Sequence, residues 1–78
     1  MPTVLRNSGY RFHFYSHEGN EPPHIHVERG DCEAKFWLIP DVHVAYNDGY
    51  NSRTLRELEA MVRVNRDRIE RAWNEFFS

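Results

Sequence analysis

His24-Ile25-His26-Val27-Glu28-Arg29-Gly30-Asp31-Cys32-Glu33-Ala34-Lys35-Phe36-Trp37-Leu38 is the stretch that decides the fold. Two runs of alternating character flank Gly30-Asp31, and a glycine at the first central position suits a two-residue type II′ hairpin turn. Arg29 then faces Cys32, and the register of every later pair follows. Val27 meets Ala34 and Ile25 meets Phe36, apolar against apolar. On the other face His26 meets Lys35 and His24 meets Trp37. Pattern and turn chemistry point independently to one register, which a one-residue slip would destroy by turning every side chain over. One pair opposes stability. Glu28 lies across from Glu33, and facing like charges cost from a few tenths up to about 1 kcal/mol unless a bound cation or a nearby Arg offsets them.

Upstream, Tyr10-Arg11-Phe12-His13-Phe14-Tyr15-Ser16 has the same period of two, with Tyr10, Phe12 and Phe14 on one face and Arg11 and His13 on the other. Residues 3–6 read as a short first strand turned at Asn7-Ser8-Gly9. His17 to Pro23 is a loop, broken by Gly19-Asn20 and the double proline. Downstream of the Pro40-Asp41 break, Val42-His43-Val44-Ala45-Tyr46 reads as a further strand of unsettled register, and residues 47–51 as a loop. From Ser52 the period changes to alternating three and four. Leu55, Leu58, Val62, Asn65, Ile69, Ala72 and Phe76, joined by Met61 and Trp73, form one apolar stripe on a helix of about 24 residues, roughly 36 Å long. Ser52 is its expected N-cap. Glu59 with Arg63 and Asp67 with Arg71 are its expected (i, i+4) pairs. The predicted fold is α+β: an antiparallel sheet of four to five short strands packed against one long C-terminal helix. It forms a single domain over 1–78, with the sheet in 1–50 and the helix in 52–77.

Composition narrows the function classes. Seventy-eight residues bound the chain to one domain with a thin stability margin, and five Phe, four Tyr and two Trp supply the bulk of a small core. The one cysteine, Cys32, has no partner for an internal disulfide or a zinc knuckle. No apolar run approaches the length of a membrane span, so no membrane partner is expected. The N-terminus Met1-Pro2-Thr3-Val4-Leu5 lacks the layout of a signal peptide, and with the lone thiol this points to the cytoplasm. A net charge of −2 offers no global attraction to nucleic acid, although the ten cations are nine Arg and one Lys, six of the Arg lying beyond residue 52.

The sharpest constellation is His24-x-His26. Alternate strand residues point the same way about 6.5–7 Å apart, a spacing from which two imidazoles converge on one metal. His13, on the polar face of the preceding strand, could supply a third ligand and Glu33 or Glu28 a carboxylate. Three His, or two His and a carboxylate, with one open position is the donor set of catalytic zinc. The plainer reading is a row of solvent-facing histidines with His24 stacked on Trp37. No cofactor is expected on that reading, and a divalent metal such as zinc on the other. Pro22-Pro23 stiffens entry into the histidine strand, with a cis bond at one of them as an option. It either fixes a binding surface or protects a sheet edge. The resulting binding-surface candidates are Pro22, Pro23, His24, His26, Lys35, Trp37 and Arg11. The metal candidates are His13, His24, His26 and Glu33. Cys32, at a hairpin end on the core-facing side, reads as a small buried hydrophobe rather than a nucleophile. Asn65, interrupting the apolar stripe, would bond a strand-end carbonyl or set the register of a helix-to-helix dimer.

Tyr10-Arg11-Phe12, Phe14-Tyr15-Ser16, Glu21-Pro22-Pro23-His24-Ile25-His26-Val27, Glu33-Ala34-Lys35-Phe36-Trp37, Asn65-Arg66 and Ala72-Trp73-Asn74 resemble a bacterial family catalogued as domain of unknown function 4160. The Pro-Pro-His-x-His-Val segment is the most specific part, and the resemblance covers nearly the whole chain. It implies a small protein of the kind associated with two-gene modules of toxin–antitoxin type, and it implies no catalytic residue or cofactor. The leading expectation is therefore a non-enzymatic binding module whose partner is a small cognate protein, with nucleic acid as a second partner class. A small metal-dependent hydrolase or nuclease using the His24/His26 strand is the alternative. A structural homodimer joined through the C-terminal helix is the third reading.

Overall fold

A computed structural model describes residues 3–78; Met1 and Pro2, the start of the N-terminus read above as leader-free, lie outside the described residues. Strands β1 (Thr3–Asn7), β2 (Tyr10–His13), β3 (His24–Arg29), β4 (Cys32–Trp37) and β5 (His43–Asp48) precede helices α1 (Ser52–Val64) and α2 (Arg66–Phe77). The strands form one antiparallel sheet in sequence order, so β1 and β5 are its edges.

The β3–β4 hairpin has the register that its turn dictates, from Arg29↔Cys32 through His24↔Trp37, with Glu28 directly opposite Glu33. Gly30 sits at φ +60, the positive value a type II′ turn requires at its first central residue. The β1–β2 turn differs in kind. Ser8 and Gly9 both have positive φ, at 55 and 83, the signature of a type I′ turn, so Asn7 pairs with Tyr10. The strand expected over 10–16 ends at His13, and Phe14 to Pro23 crosses between β2 and β3. The last strand begins at His43 rather than Val42. Its register against β4 slips by one, from Lys35↔Tyr46 to Phe36↔Val44, so Ala45 is the extra residue of a bulge. The cis peptide bond lies at Ile39-Pro40, not in the Pro22-Pro23 pair.

One face of the sheet is apolar. Phe12, Ile25, Val27, Ala34 and Phe36 are fully buried there, and Leu58 and Val62 of α1 with Ile69 and Trp73 of α2 close over them. Burying each such large side chain contributes about 1.5–3 kcal/mol relative to leaving it in water.

The C-terminal segment is two helices, not the one long helix that the stripe predicts. Asn65 divides them, at φ −100 and ψ 11. Its side-chain Nδ2 donates to the Met61 carbonyl at 2.8 Å, the same oxygen its own backbone N–H reaches at 3.1 Å. A side-chain amide that competes for the i−4 carbonyl opens the turn. Asn65 thus bonds within its own helix and reaches no strand end. The apolar stripe could not reveal this, because its period carries through the interruption. Asn51, not Ser52, caps α1, with Oδ1 accepting from the Thr54 N–H at 2.8 Å. Glu59 and Arg63 pair as expected, but no ion pair joins Asp67 to Arg71; Arg53 with Glu57 and Arg66 with Glu70 form the other (i, i+4) pairs. Among the described residues no helix is long and apolar enough to cross a membrane.

Candidate functional site

The polar face of the sheet is not a solvent-facing row of histidines. His13, His24 and His26 are all buried, at 0%, 0% and 1% exposure. The cover comes from the crossing segment between β2 and β3. Two successive turns fold it back, closed by the Glu18 N–H on the Tyr15 carbonyl and the Glu21 N–H on the Glu18 carbonyl. Glu21 is then held by Lys35 of β4, Nζ to Oε1 at 2.6 Å, and the Lys35 ammonium also lies over the Trp37 ring. This anchoring lowers Glu18 onto the strand that carries the histidines.

Glu18 Oε1 stands 2.8 Å from His24 Nε2 and 2.7 Å from His26 Nε2. Each imidazole is fixed from behind. His24 Nδ1 donates to the Pro22 carbonyl at 3.0 Å, and its ring meets Trp37 and Trp73 edge-on or tilted. His26 Nδ1 donates to Glu33 Oε2 at 3.0 Å. Tyr46 and Tyr15 each donate a hydroxyl proton to Glu33, at 2.6 and 3.0 Å. With both Nδ1 atoms committed as donors, the Nε2 atoms and the Glu18 oxygen turn toward one another as three electron-rich centres. Protons on both Nε2 atoms, or a cation among the three, complete the arrangement.

Charge at the site follows from these contacts. Burial raises the Glu18 carboxyl, but hydrogen bonds from His24 and His26 outweigh it and hold the group below the usual carboxylate range. Glu33 behaves alike: burial raises it, and the Tyr46, Tyr15 and His26 donors bring it down overall. Tyr15 is pushed up to about 12 by burial and by Glu33, so it stays a donor through the physiological range. Arg11 bonds Glu28 and Lys35 bonds Glu21, which leaves Glu18 and Glu33 to the histidines and tyrosines.

The expected metal set is thus regrouped. His24 and His26 converge, but their carboxylate is Glu18, and Glu33 backs His26 from behind. His13 does not join them. Its ring stacks on His26 with centroids 5.6 Å apart and meets Tyr15 edge-on. Among the described residues neither of its nitrogens has a hydrogen-bond partner, Glu28 Oε1 standing 3.7 Å from Nδ1. Burial, then the Arg11 charge, holds His13 below its ordinary value, so it is a neutral imidazole. Among the expected binding-surface residues, Pro22 is exposed and Pro23, Arg11 and Trp37 are half-buried, whereas Lys35 and the two histidines are inside. Sequence periodicity missed Glu18, Glu21, Tyr15 and Tyr46. The first three lie on or beside an irregular loop where period carries no information. Tyr46 lies beyond the β4–β5 bulge.

A second feature lies where the first strand meets the last helix. Val4, Phe14, Ala72 and Phe76 floor an open groove of about 770 Å³ between β1 and α2. Arg68, Arg71 and Glu75 stand on its rim. Phe76 keeps 44% of its surface exposed. The family model described as "Domain of unknown function (DUF4160)" matches residues 9–74, a span holding the whole histidine–carboxylate cluster. No curated protein and no solved structure matches the chain.

Proposed function

This chain belongs to the domain of unknown function DUF4160 family, and on that premise we propose that it is a cytoplasmic binding module, one half of a two-gene pair of toxin–antitoxin type. It engages a small cognate protein through the groove between β1 and α2. The observation that carries this reading is the combination on one rim of Arg68 and Arg71 with the half-exposed Phe76 ring, alongside an edge strand. Both arginines are exposed, and neither takes part in an ion pair among the described residues. A partner segment that adds a strand beside β1 would place alternate side chains over the groove. Charge complementarity asks that segment for acidic residues to meet Arg68 and Arg71 and an apolar side chain to meet Phe76 and Phe14. A carboxylate-bearing protein suits this rim better than nucleic acid. Glu75 shares it, and the chain's net charge of −2 supplies no background attraction to phosphate.

The test is co-expression of the tagged chain with the product of the adjacent gene, followed by purification at low salt. A one-to-one complex is expected, and R68E/R71E and F76A should each abolish it while leaving the circular dichroism unchanged. A chain that purifies alone, forms only a dimer of itself, or retains its partner in both variants would overturn the reading.

A further inference from the structure

We propose that Glu18, His24 and His26 form a binding site for one divalent transition-metal ion of the zinc type. The ligand atoms are His24 Nε2, His26 Nε2 and a Glu18 carboxylate oxygen, all within 4.8 Å of one another. Four independent features of the structure point to this site.

The first is tautomer control. A histidine that binds metal through one nitrogen needs the other to donate to a fixed acceptor, which orients the ring and sets its basicity. Both rings satisfy this with the same handedness, Nδ1 outward and Nε2 inward: His24 donates to the Pro22 carbonyl and His26 to Glu33. The acceptor behind His26 is itself a carboxylate held by two tyrosine hydroxyls, a carboxylate–histidine–metal relay assembled in advance.

Charge is the second. Once Arg11–Glu28 and Lys35–Glu21 are paired off, two carboxylates remain, Glu18 and Glu33, against two imidazoles that are neutral when they act as ligands. The excess is two negative charges, which one divalent cation cancels.

Distance is the third. The present O···N separations of 2.7 and 2.8 Å are hydrogen-bond lengths, whereas donors around a tetrahedral zinc at 2.0–2.1 Å lie about 3.3 Å apart. The difference is about half an ångström. Glu18 sits on the crossing loop rather than in a strand, so it can retreat by that amount.

Chemical selectivity is the fourth. Two imidazoles and one carboxylate favour zinc and its first-row neighbours over calcium or magnesium, which take oxygen ligands. Three protein donors also leave a fourth position of a tetrahedral zinc for water, and the side chain of Glu18 is 14% exposed to solvent.

The experiment is equilibrium dialysis of the chelator-treated full chain against Zn(II), with Co(II) as a spectroscopic probe. The wild type should take up one equivalent and give the visible absorption of four- or five-coordinate Co(II). E18Q keeps the shape of the side chain and should lose both signals while its circular dichroism stays native. E33Q, which disturbs the support of His26 but removes no ligand, should weaken Zn(II) binding by about 10–100-fold. H17A and H43A, altering the two exposed histidines, should bind as the wild type does. Failure of the wild type to bind one equivalent overturns the proposal without reference to any variant. Retention of stoichiometric binding in folded E18Q, or its loss in H17A or H43A, overturns it equally.

Discussion

Glu28 and Glu33 face each other across the β3–β4 ladder, yet their carboxyls turn to separate partners. Glu28 takes the Arg11 guanidinium, whereas Glu33 accepts from Tyr15, Tyr46 and His26. The repulsion that the register imposes is thereby offset from both sides. The two acids are not equivalent, because Glu28 is the more exposed of the pair. E28Q should therefore cost no more than about 1 kcal/mol, the upper end for an ion pair still open to solvent on one side. E33Q should cost about 1–3 kcal/mol, since three donors, the buried His26 among them, lose a charged acceptor. Urea midpoints of the two variants measure the difference, and equal midpoints would show that the tyrosine cluster does not hold Glu33.

His13 is a fully buried imidazole whose nitrogens have no hydrogen-bond partner among the described residues. Burying a polar group without a partner is unfavourable, and an apolar replacement of similar size removes that cost. H13L should be at least as stable as the wild type at pH 7.5, by up to about 1 kcal/mol. A thermal midpoint clearly below the wild type's would mean that His13 has a structural partner after all.

The sheet was legible in the sequence to the extent that period and turn chemistry agree. In the β3–β4 hairpin both signals fix one register, and every pair follows. In the C-terminal segment only the period was readable. The three–four spacing of Leu58, Val62, Ile69 and Trp73 continues across Asn65, so the division into two helices is invisible to it. The difference lies in one side-chain amide bonding to Met61, a local competition that apolar spacing does not record. The candidate site was half legible for a similar reason. His24 and His26 announce themselves by alternation. Glu18 comes from a loop whose fold-back depends on the Lys35–Glu21 contact, a tertiary relationship between residues 14 positions apart. The burial of the histidines follows from that same fold-back and could not be read from an alternating strand.

Tyr50 gives an alkaline test. Its hydroxyl donates to the Val27 and Cys32 carbonyls at 3.1 and 3.3 Å, bridging the hairpin from β3 to β4. Burial, then the neighbouring Cys32 and Tyr10, pushes it up to about 12. A group raised on folding stabilises the native state below its unfolded value, near 10 for tyrosine, and loses that contribution as pH rises toward the folded one. Native stability should accordingly decline between pH 10 and about 12. Y50F should lower stability at pH 7 by about 1 kcal/mol and show a shallower alkaline decline. Urea titrations at pH 7, 10 and 11 check both, and an unchanged alkaline slope would remove Tyr50 from the account.

Gly19 follows Glu18 and lies against the end of α2. A Cβ built on Gly19 would come within 2.5 Å of Phe77 Cδ1. Phe77 cannot swing aside freely, because it packs on Trp73, Phe14 and Phe76 with ring centroids 4.1–5.9 Å apart. G19A must therefore displace either the aromatic cluster or the loop that carries Glu18. Overpacking of this kind costs about 1–3 kcal/mol. The loop is the softer of the two, being held by two turn hydrogen bonds and the Glu21–Lys35 pair. The expected outcome is a moderate loss of stability with a disproportionate change at the histidines. In proton–nitrogen spectra, the His24 and His26 ring signals should move while those of exposed His43 stay in place. If only the Phe76, Phe77 and Trp73 signals moved, the helix end rather than the loop would be the part that yields, and Glu18 would keep its position over the two imidazoles.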